Sequence, residues 1–195
     1  MLFSQNGVIF AEFASVLRNT YFYLPFNERK QMKRYTSIEL FKENFKFSCG
    51  HFTIFSAKHR ENLHGHNFQV MVRFTSEVLE HGMTFDYGKL KRKTERLCSE
   101  LNEHFLLPGE SPYLRIEQRE DLVFAHFDTE KIPFLPRDVI ILPIANVTLE
   151  ELSRWFLEQY LEDQQEFEAF GVREIEVKAF SGPGQSASAI WKRSS

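Results

Sequence analysis

Cysteine is scarce in this 195-residue chain: only Cys49 and Cys98 are present. Two cysteines cannot build a disulfide framework, and neither opens a Cys-x-x-Cys pair, so a reducing, cytoplasmic compartment is expected. Long hydrophobic runs are also missing. No apolar stretch approaches the ~18–20 residues of a membrane span. The start, Met1-Leu-Phe-Ser-Gln-Asn-Gly-Val-Ile-Phe-Ala-Glu12, lacks the basic segment of a signal peptide and reaches an acidic residue early. Charge of one sign is not in excess: 24 basic against 27 acidic residues leave a formal charge of -3. That balance gives no global attraction to nucleic acid or anionic lipid, so neither is an expected partner. No internal repeat or low-complexity segment is found. Phenylalanine, by contrast, is abundant at 21 residues, as heavy aromatic packing in a core or interface would require. The length is enough to bury a full core and indicates one domain with embellishments.

Hydrophobic periodicity divides the chain. Residues 1–40 carry mixed apolar, aromatic and strongly polar stretches and are read as an N-terminal extension. From Phe41 the period becomes two. Phe45, Phe47, Cys49 and His51 share one face of a strand, and Asn44, Lys46, Ser48 and Gly50 the other. A second strand runs from about His64 to Phe74, with His66, Phe68, Val70 and Val72 on one side, and a loop at residues 57–62 joins the two as an antiparallel pair. Asp86 to His104 has helical spacing through Leu90, Leu97 and Leu101, with Asp86 as a candidate N-cap. Pro108-Gly109 stops it, and a hairpin-like insertion occupies about residues 108–143. Thr148 and Glu151 form a capping box before the stripe Leu152, Trp155, Phe156, Leu157 and Leu161. Strands at Glu174–Phe180 and Ala187–Trp191, separated by Gly182-Pro183-Gly184, complete an α+β order.

Three histidines carry the chemistry. His64 and His66, two apart on a strand, project from the same side and can grip one metal, while the neighbouring strand supplies His51. Three neutral imidazoles bind zinc at about 2.0–2.1 Å and leave a fourth tetrahedral position open, the pattern of a catalytic site. The alternative is a merely polar strand face.

The segments Phe47-Ser-Cys-Gly-His51, Glu61-Asn-Leu-His64-Gly-His66-Asn-Phe68, Gly82-Met-Thr-Phe-Asp86-Tyr, Leu142-Pro-Ile-Ala-Asn146-Val-Thr148-Leu-Glu150 and Pro183-Gly-Gln-Ser-Ala187, in this order and spacing, resemble the 6-pyruvoyl-tetrahydropterin synthase and 6-carboxytetrahydropterin synthase superfamily. The resemblance spans about residues 41–192. It implies a tunnelling fold (T-fold) at residues 41–195, in which four antiparallel strands and two helices assemble into homo-oligomeric rings, a trimer or hexamer with sites between subunits. It further implies zinc on His51, His64 and His66, a pterin pocket lined by Asn146 and Thr148, and 7,8-dihydroneopterin triphosphate as substrate.

The departures from the family pattern shape the functional expectation. Arg60 stands where common members have a nucleophile-like cysteine, and Glu61 resembles the glutamate that replaces it in a subgroup that cleaves the pterin side chain to a hydroxymethyl group. Glu61 is therefore a candidate general base, the alternative being a solvated loop residue. The family's Asp-His relay reads Asn102-Glu103 here, with His104 next to it as a possible recruit. Asparagine cannot ionise and so cannot charge-stabilise a histidine. Ser181 occupies the place of the pterin-gripping glutamate, with Glu176 a substitute only in another register. Two readings stay open: a zinc-dependent pterin-pathway lyase or aldolase-like synthase, and a zinc-containing binding or assembly protein on the same fold.

Overall fold

The computed structural model of the protein describes residues 33–194. The stretches read in the first 32 residues lie outside the described residues. The strands are β1 (Tyr35–Leu40), β2 (Lys46–His51), β3 (Ile54–Ser56), β4 (His59–Arg60) and β5 (His64–Glu77). Helix α1 (Gly88–Leu101) precedes β6 (His104–Pro108), β7 (Leu114–Gln118), β8 (Val123–Phe127), β9 (Glu130–Phe134) and β10 (Val139–Leu142). Helices α2 (Leu149–Leu161) and α3 (Gln164–Ala169) lead into the hairpin β11 (Val172–Gly182) and β12 (Gln185–Lys192).

The expected antiparallel set β2, β5, β11 and β12 runs from the middle to one edge of a seven-stranded sheet ordered β10-β6-β2-β5-β11-β12, with β1 also on β5. One side of the long β5 takes β1 at its C-terminal half and β2 at its N-terminal half. This corrects the extension drawn over residues 1–40: residues 35–40 belong to the sheet. Their burial is nearly all exposed until Leu40, so they lack the clean alternation that marks a strand in sequence. Strands β6 and β10 add a parallel pair at the far edge. The connection expected as a simple loop at residues 57–62 contains the small β3–β4 hairpin, and the inserted segment contains a three-stranded meander, β7-β8-β9.

Helix α1 lies over β2, and α2 over β11 and β12. Because β2 and β5 alternate, their inward residues meet the helices. Phe47 and Phe68, directly opposite in register, stack with centroids 5.3 Å apart. Phe47 also meets Phe156 of α2, and Phe74 meets Tyr160 and Phe167. Such aromatic pairs add about 0.5–1.5 kcal/mol each beyond area burial, which accounts for the use of so many phenylalanines. A second apolar cluster joins Phe52, Ile54 and Leu107 to the inner face of the meander through Leu114, Val123, Ala125 and Phe127. Gly50 lets the two clusters approach: a Cβ there would lie 2.5 Å from the Phe105 ring.

Two local expectations change. Helix α1 ends at Leu101, and Glu103 turns into the left-handed region at φ 62°. His104 therefore opens β6 beside Cys49 instead of ending the helix. Asp86 accepts the Gly88 N–H at 2.8 Å, one residue upstream of the observed cap Tyr87. At α2 the Thr148 hydroxyl does accept the Glu151 N–H, but the Glu151 carboxylate reaches the Ala145 N–H, closing the turn from outside.

Candidate active site

The antiparallel register places His51 directly opposite His64 and Cys49 opposite His66. Each of the three histidines offers one ring nitrogen, and these nitrogens all lie within 4.8 Å of one another. Two of the rings are pre-oriented. His51 Nδ1 lies 3.1 Å from the Val147 carbonyl and His64 Nδ1 2.8 Å from the Asn62 carbonyl, so each donates from Nδ1 and leaves Nε2 with its lone pair free, as metal-ligating histidines do. His51 Nε2 is buried without a hydrogen-bond partner. A buried acceptor left unpaired is costly, and a metal ion would satisfy it, so the donor set fits zinc. Phe68, edge-on to His51 and His66, forms the apolar floor.

Burial, followed by the charge of neighbouring His64, pushes His51 down from 6.5 to about 4, so it is neutral and ligand-ready at physiological pH. The linkage has a definite sign. The unfolded chain takes up this proton near pH 6.5 and the folded chain only near 4, so in the metal-free protein stability is fully present above 6.5 and falls as pH drops toward 4. Over that window the loss attributable to His51 is on the order of 3 kcal/mol at most. Denaturant titrations of metal-free protein at pH 7.5 and 4.5 check it: His51→Gln should have a correspondingly smaller pH-dependent loss.

Glu61 sits immediately after β4 and faces the histidines. Its Oε2 is 3.8 Å from His64 Nε2 and accepts the Thr53 N–H at 3.0 Å. The Glu61 N–H in turn donates to the Thr53 carbonyl at 2.9 Å. Burial acts to raise the Glu61 pKa, but hydrogen bonding from Thr53 and the nearby His64 and His51 charges outweigh it, holding the carboxyl below its ordinary range. Thr53 is a residue sequence reasoning missed, because its contribution is a backbone N–H that no side-chain pattern announces. The Val147 carbonyl was missed for the same reason.

The other candidates separate. Thr148 and Ser181 line the metal pocket together with Thr53, Glu61 and Glu150, in a space of about 160 Å³. Ser181 also borders an adjoining cleft of about 960 Å³ that shares His66 and Phe68 and is lined further by Lys46, Asn67 and Gln69. The Asn146 side chain, expected in the pterin pocket, is instead spent on backbone: it accepts from Ile54 N–H and donates to the Ile54 carbonyl at 2.8 Å. It pegs β3 in place. His104, offered as a relay residue, is not among the clustered ligand nitrogens, and its Nδ1 lies 2.8 Å from the Asn102 carbonyl. Asn102 itself accepts from Ser48 N–H. The turn at Glu103 is what takes His104 onto a strand. Glu176 is buried in an ion pair with Arg73 at 2.7 Å, away from the pocket lining. Cys49, set among apolar residues, has its thiol pushed up to about 12 by burial, which makes it packing and not a nucleophile.

A largely antiparallel sheet packed against helices and a three-imidazole cluster at the joined ends of two strands define an α+β protein with a metal-competent site. Comparison with known proteins makes the class specific. The chain belongs to the 6-pyruvoyl tetrahydropterin synthase family, whose model matches residues 39–189, and its fold is the T-fold. A Pyrococcus abyssi protein provisionally assigned as 6-carboxy-5,6,7,8-tetrahydropterin synthase is 31% identical over 140 residues, covering 71% of this chain and 81% of that protein. Its provisionally assigned counterpart in Methanocaldococcus jannaschii is 25% identical over 126 residues, 64% of this chain and 77% of the relative. Among solved structures, the Plasmodium vivax 6-pyruvoyltetrahydropterin synthase superposes with a TM-score of 0.77 at 29% identity, covering 82% of this chain and 99% of the other. A variant of that enzyme in which a catalytic glutamate is replaced by alanine superposes equally well. Among the described residues, no helix is long and apolar enough to cross a membrane.

Proposed function

We propose that the protein is a zinc-dependent pterin-pathway enzyme that cleaves the side chain of 7,8-dihydroneopterin triphosphate, or a related pterin, by a retro-aldol reaction. The observation that carries this reading is the Glu61 carboxylate, fixed by Thr53 and 3.8 Å from His64 Nε2 in the same pocket as the histidine cluster. The Plasmodium vivax relative supports it, since the residue replaced in its catalytic-residue variant is also a glutamate.

His51, His64 and His66 would hold the metal, which supplies Lewis-acid polarisation of a side-chain hydroxyl. Glu61 takes the proton from the hydroxyl on the second side-chain carbon. The oxygen's electrons then form an aldehyde carbonyl, the bond between the first and second side-chain carbons breaks, and its electron pair moves into the conjugated ring imine. Return of a proton to the first carbon gives a 6-hydroxymethyl dihydropterin and a two-carbon aldehyde that keeps the triphosphate, so atoms and electrons balance without an oxidant. Glu61 is ionised at neutral pH, and the reaction asks it only to take one proton and give it back. The 6-pyruvoyl outcome needs several proton shifts, and Asn102 and His104 are engaged with backbone groups instead of forming a relay.

The space around the histidines is too small for a bicyclic ring with its side chain, since ligand pockets commonly reach about 300–1,000 Å³. The adjoining cleft, reaching Ser181, Gln69 and Asn67, gives the ring its place. Ser181 supplies a neutral hydroxyl where a charged acceptor would bind a pterin more strongly, which favours weak ground-state affinity. A zinc-containing binding or assembly protein on the same fold is the second reading, favoured by the joint replacement of the family's cysteine, Asp-His relay and charged anchor by Arg60, Asn102, Glu103 and Ser181. Turnover assays on zinc-loaded protein separate the two.

The assembly is part of the proposal. Strand β12 pairs only with β11 among the described residues, and an unpaired sheet edge is a template for another chain. Closed homo-oligomeric rings, trimeric or hexameric, satisfy such edges. Light scattering at micromolar concentration is expected to give a multiple of three chains, and a strict monomer would exclude the ring.

A further inference from the structure

We propose that Arg60 and Glu130 form a clamp through which the inserted β7-β8-β9 sheet holds the Glu61 carboxylate in position. The inference rests on the reading of Glu61 as the general base.

Arg60 ends β4, immediately before Glu61, and its guanidinium lies between two rings, 5.1 Å from the Phe52 centroid and 5.8 Å from that of Phe127 on β8. Its side chain is only 15% exposed. The Nε group donates to Glu130 Oε2 on β9 at 2.8 Å, Nη2 donates to the same oxygen, and Nη1 donates to the Glu61 carbonyl at 2.7 Å. A guanidinium presents its N–H groups in a rigid planar fork, so fixing one side fixes the other. The peptide groups on both sides of Glu61 are thereby held: the carbonyl by Arg60 and the N–H by Thr53. With its backbone pinned, the side chain can leave Cα in only a few directions, and the Thr53 N–H captures the carboxylate at one of them. The apolar cluster under the meander, which includes Phe52, Ile54 and Phe127, supplies the rigid platform, and Asn146 ties Ile54 to the segment that bears Val147. The insertion thus acts on the site without contacting substrate. Arg60 and Glu130 are positioning residues, and the position where the family's cysteine would stand is given to the support of the residue that replaces it.

The test uses the full-length zinc-loaded protein and the variants Glu130→Gln and Arg60→Lys, which retain size or charge but lose the fork pairing. Hydrogen exchange of the Thr53 amide reports directly on the Glu61 carboxylate, with β11 amides as the internal control for global stability. Glu130→Gln is expected to speed Thr53 exchange about tenfold while β11 exchange is unchanged. With 7,8-dihydroneopterin triphosphate, kcat should fall about tenfold and KM stay within about twofold, as misplacement of a catalytic group predicts. Arg60→Lys should behave alike, and zinc content should match wild type. In a Glu61→Gln background, Glu130→Gln should cost nothing further. Unchanged Thr53 exchange, or an equal kcat loss in the Glu61→Gln background, overturns the clamp. Full turnover by Glu61→Gln alone overturns the reading of Glu61 instead, and Thr53 exchange then still decides whether the clamp exists.

Discussion

Glu61→Gln is expected to lower turnover of 7,8-dihydroneopterin triphosphate by ~10²–10⁴, the usual cost of removing a general base, while leaving zinc bound. The substitution is nearly isosteric. An amide oxygen can still accept the Thr53 N–H that the carboxylate takes at 3.0 Å, so the side chain stays in place and loses only its capacity to take a proton. Because Glu61 is not one of the three clustered ligand residues, the metal content measured by elemental analysis should match wild type. A Glu61→Gln protein with undiminished turnover would remove the residue from the mechanism. A parallel loss of zinc would recast it as a metal ligand.

The second large effect concerns the histidines. Wild-type protein is expected to retain about one zinc per chain after mild dialysis, and the double variant His64→Ala/His66→Ala essentially none, because a site with open coordination depends on all three protein ligands. The sheet should survive these changes. His64 and His66 lie at the partly exposed end of β5, whereas the buried core begins at Phe68. His51→Ala should be costlier to the fold, since His51 is 5% exposed and bonded to the Val147 carbonyl. Retention of full metal content by the double variant would place the metal elsewhere.

The two central strands announce themselves in sequence. Phe45, Phe47, Cys49 and His51 alternate with polar residues over a length that only a strand would use, and an antiparallel partner carrying His64 and His66 brings three imidazoles together almost regardless of how the rest of the chain folds. Other parts were hidden for physical reasons. Glutamate rarely adopts a left-handed backbone, so nothing in Leu101-Asn102-Glu103-His104 signals the turn at φ 62° that moves His104 from a helix to a strand. Strands β6 and β10 are short apolar runs, His104–Pro108 and Val139–Leu142, without alternation, because their outward faces are covered by the meander cluster. Helix α3 is one buried residue, Phe167, in a polar stretch, too little for a periodic pattern. The segment around Asn146 matches a pocket motif, yet its carboxamide is complementary to a backbone pair of Ile54 across 92 residues, a partner sequence distance conceals. The link from Arg60 to Glu130 spans 70 residues and is invisible until the insertion is folded.

The most direct measurement is the identity of the product. Zinc-loaded wild-type protein incubated with 7,8-dihydroneopterin triphosphate, and analysed by mass spectrometry, is predicted to release a 6-hydroxymethyl dihydropterin together with a two-carbon phosphorylated aldehyde, and to stop doing so when zinc is removed. Robust formation of a 6-pyruvoyl tetrahydropterin, or complete inactivity without pterin binding while zinc remains in place, would contradict it.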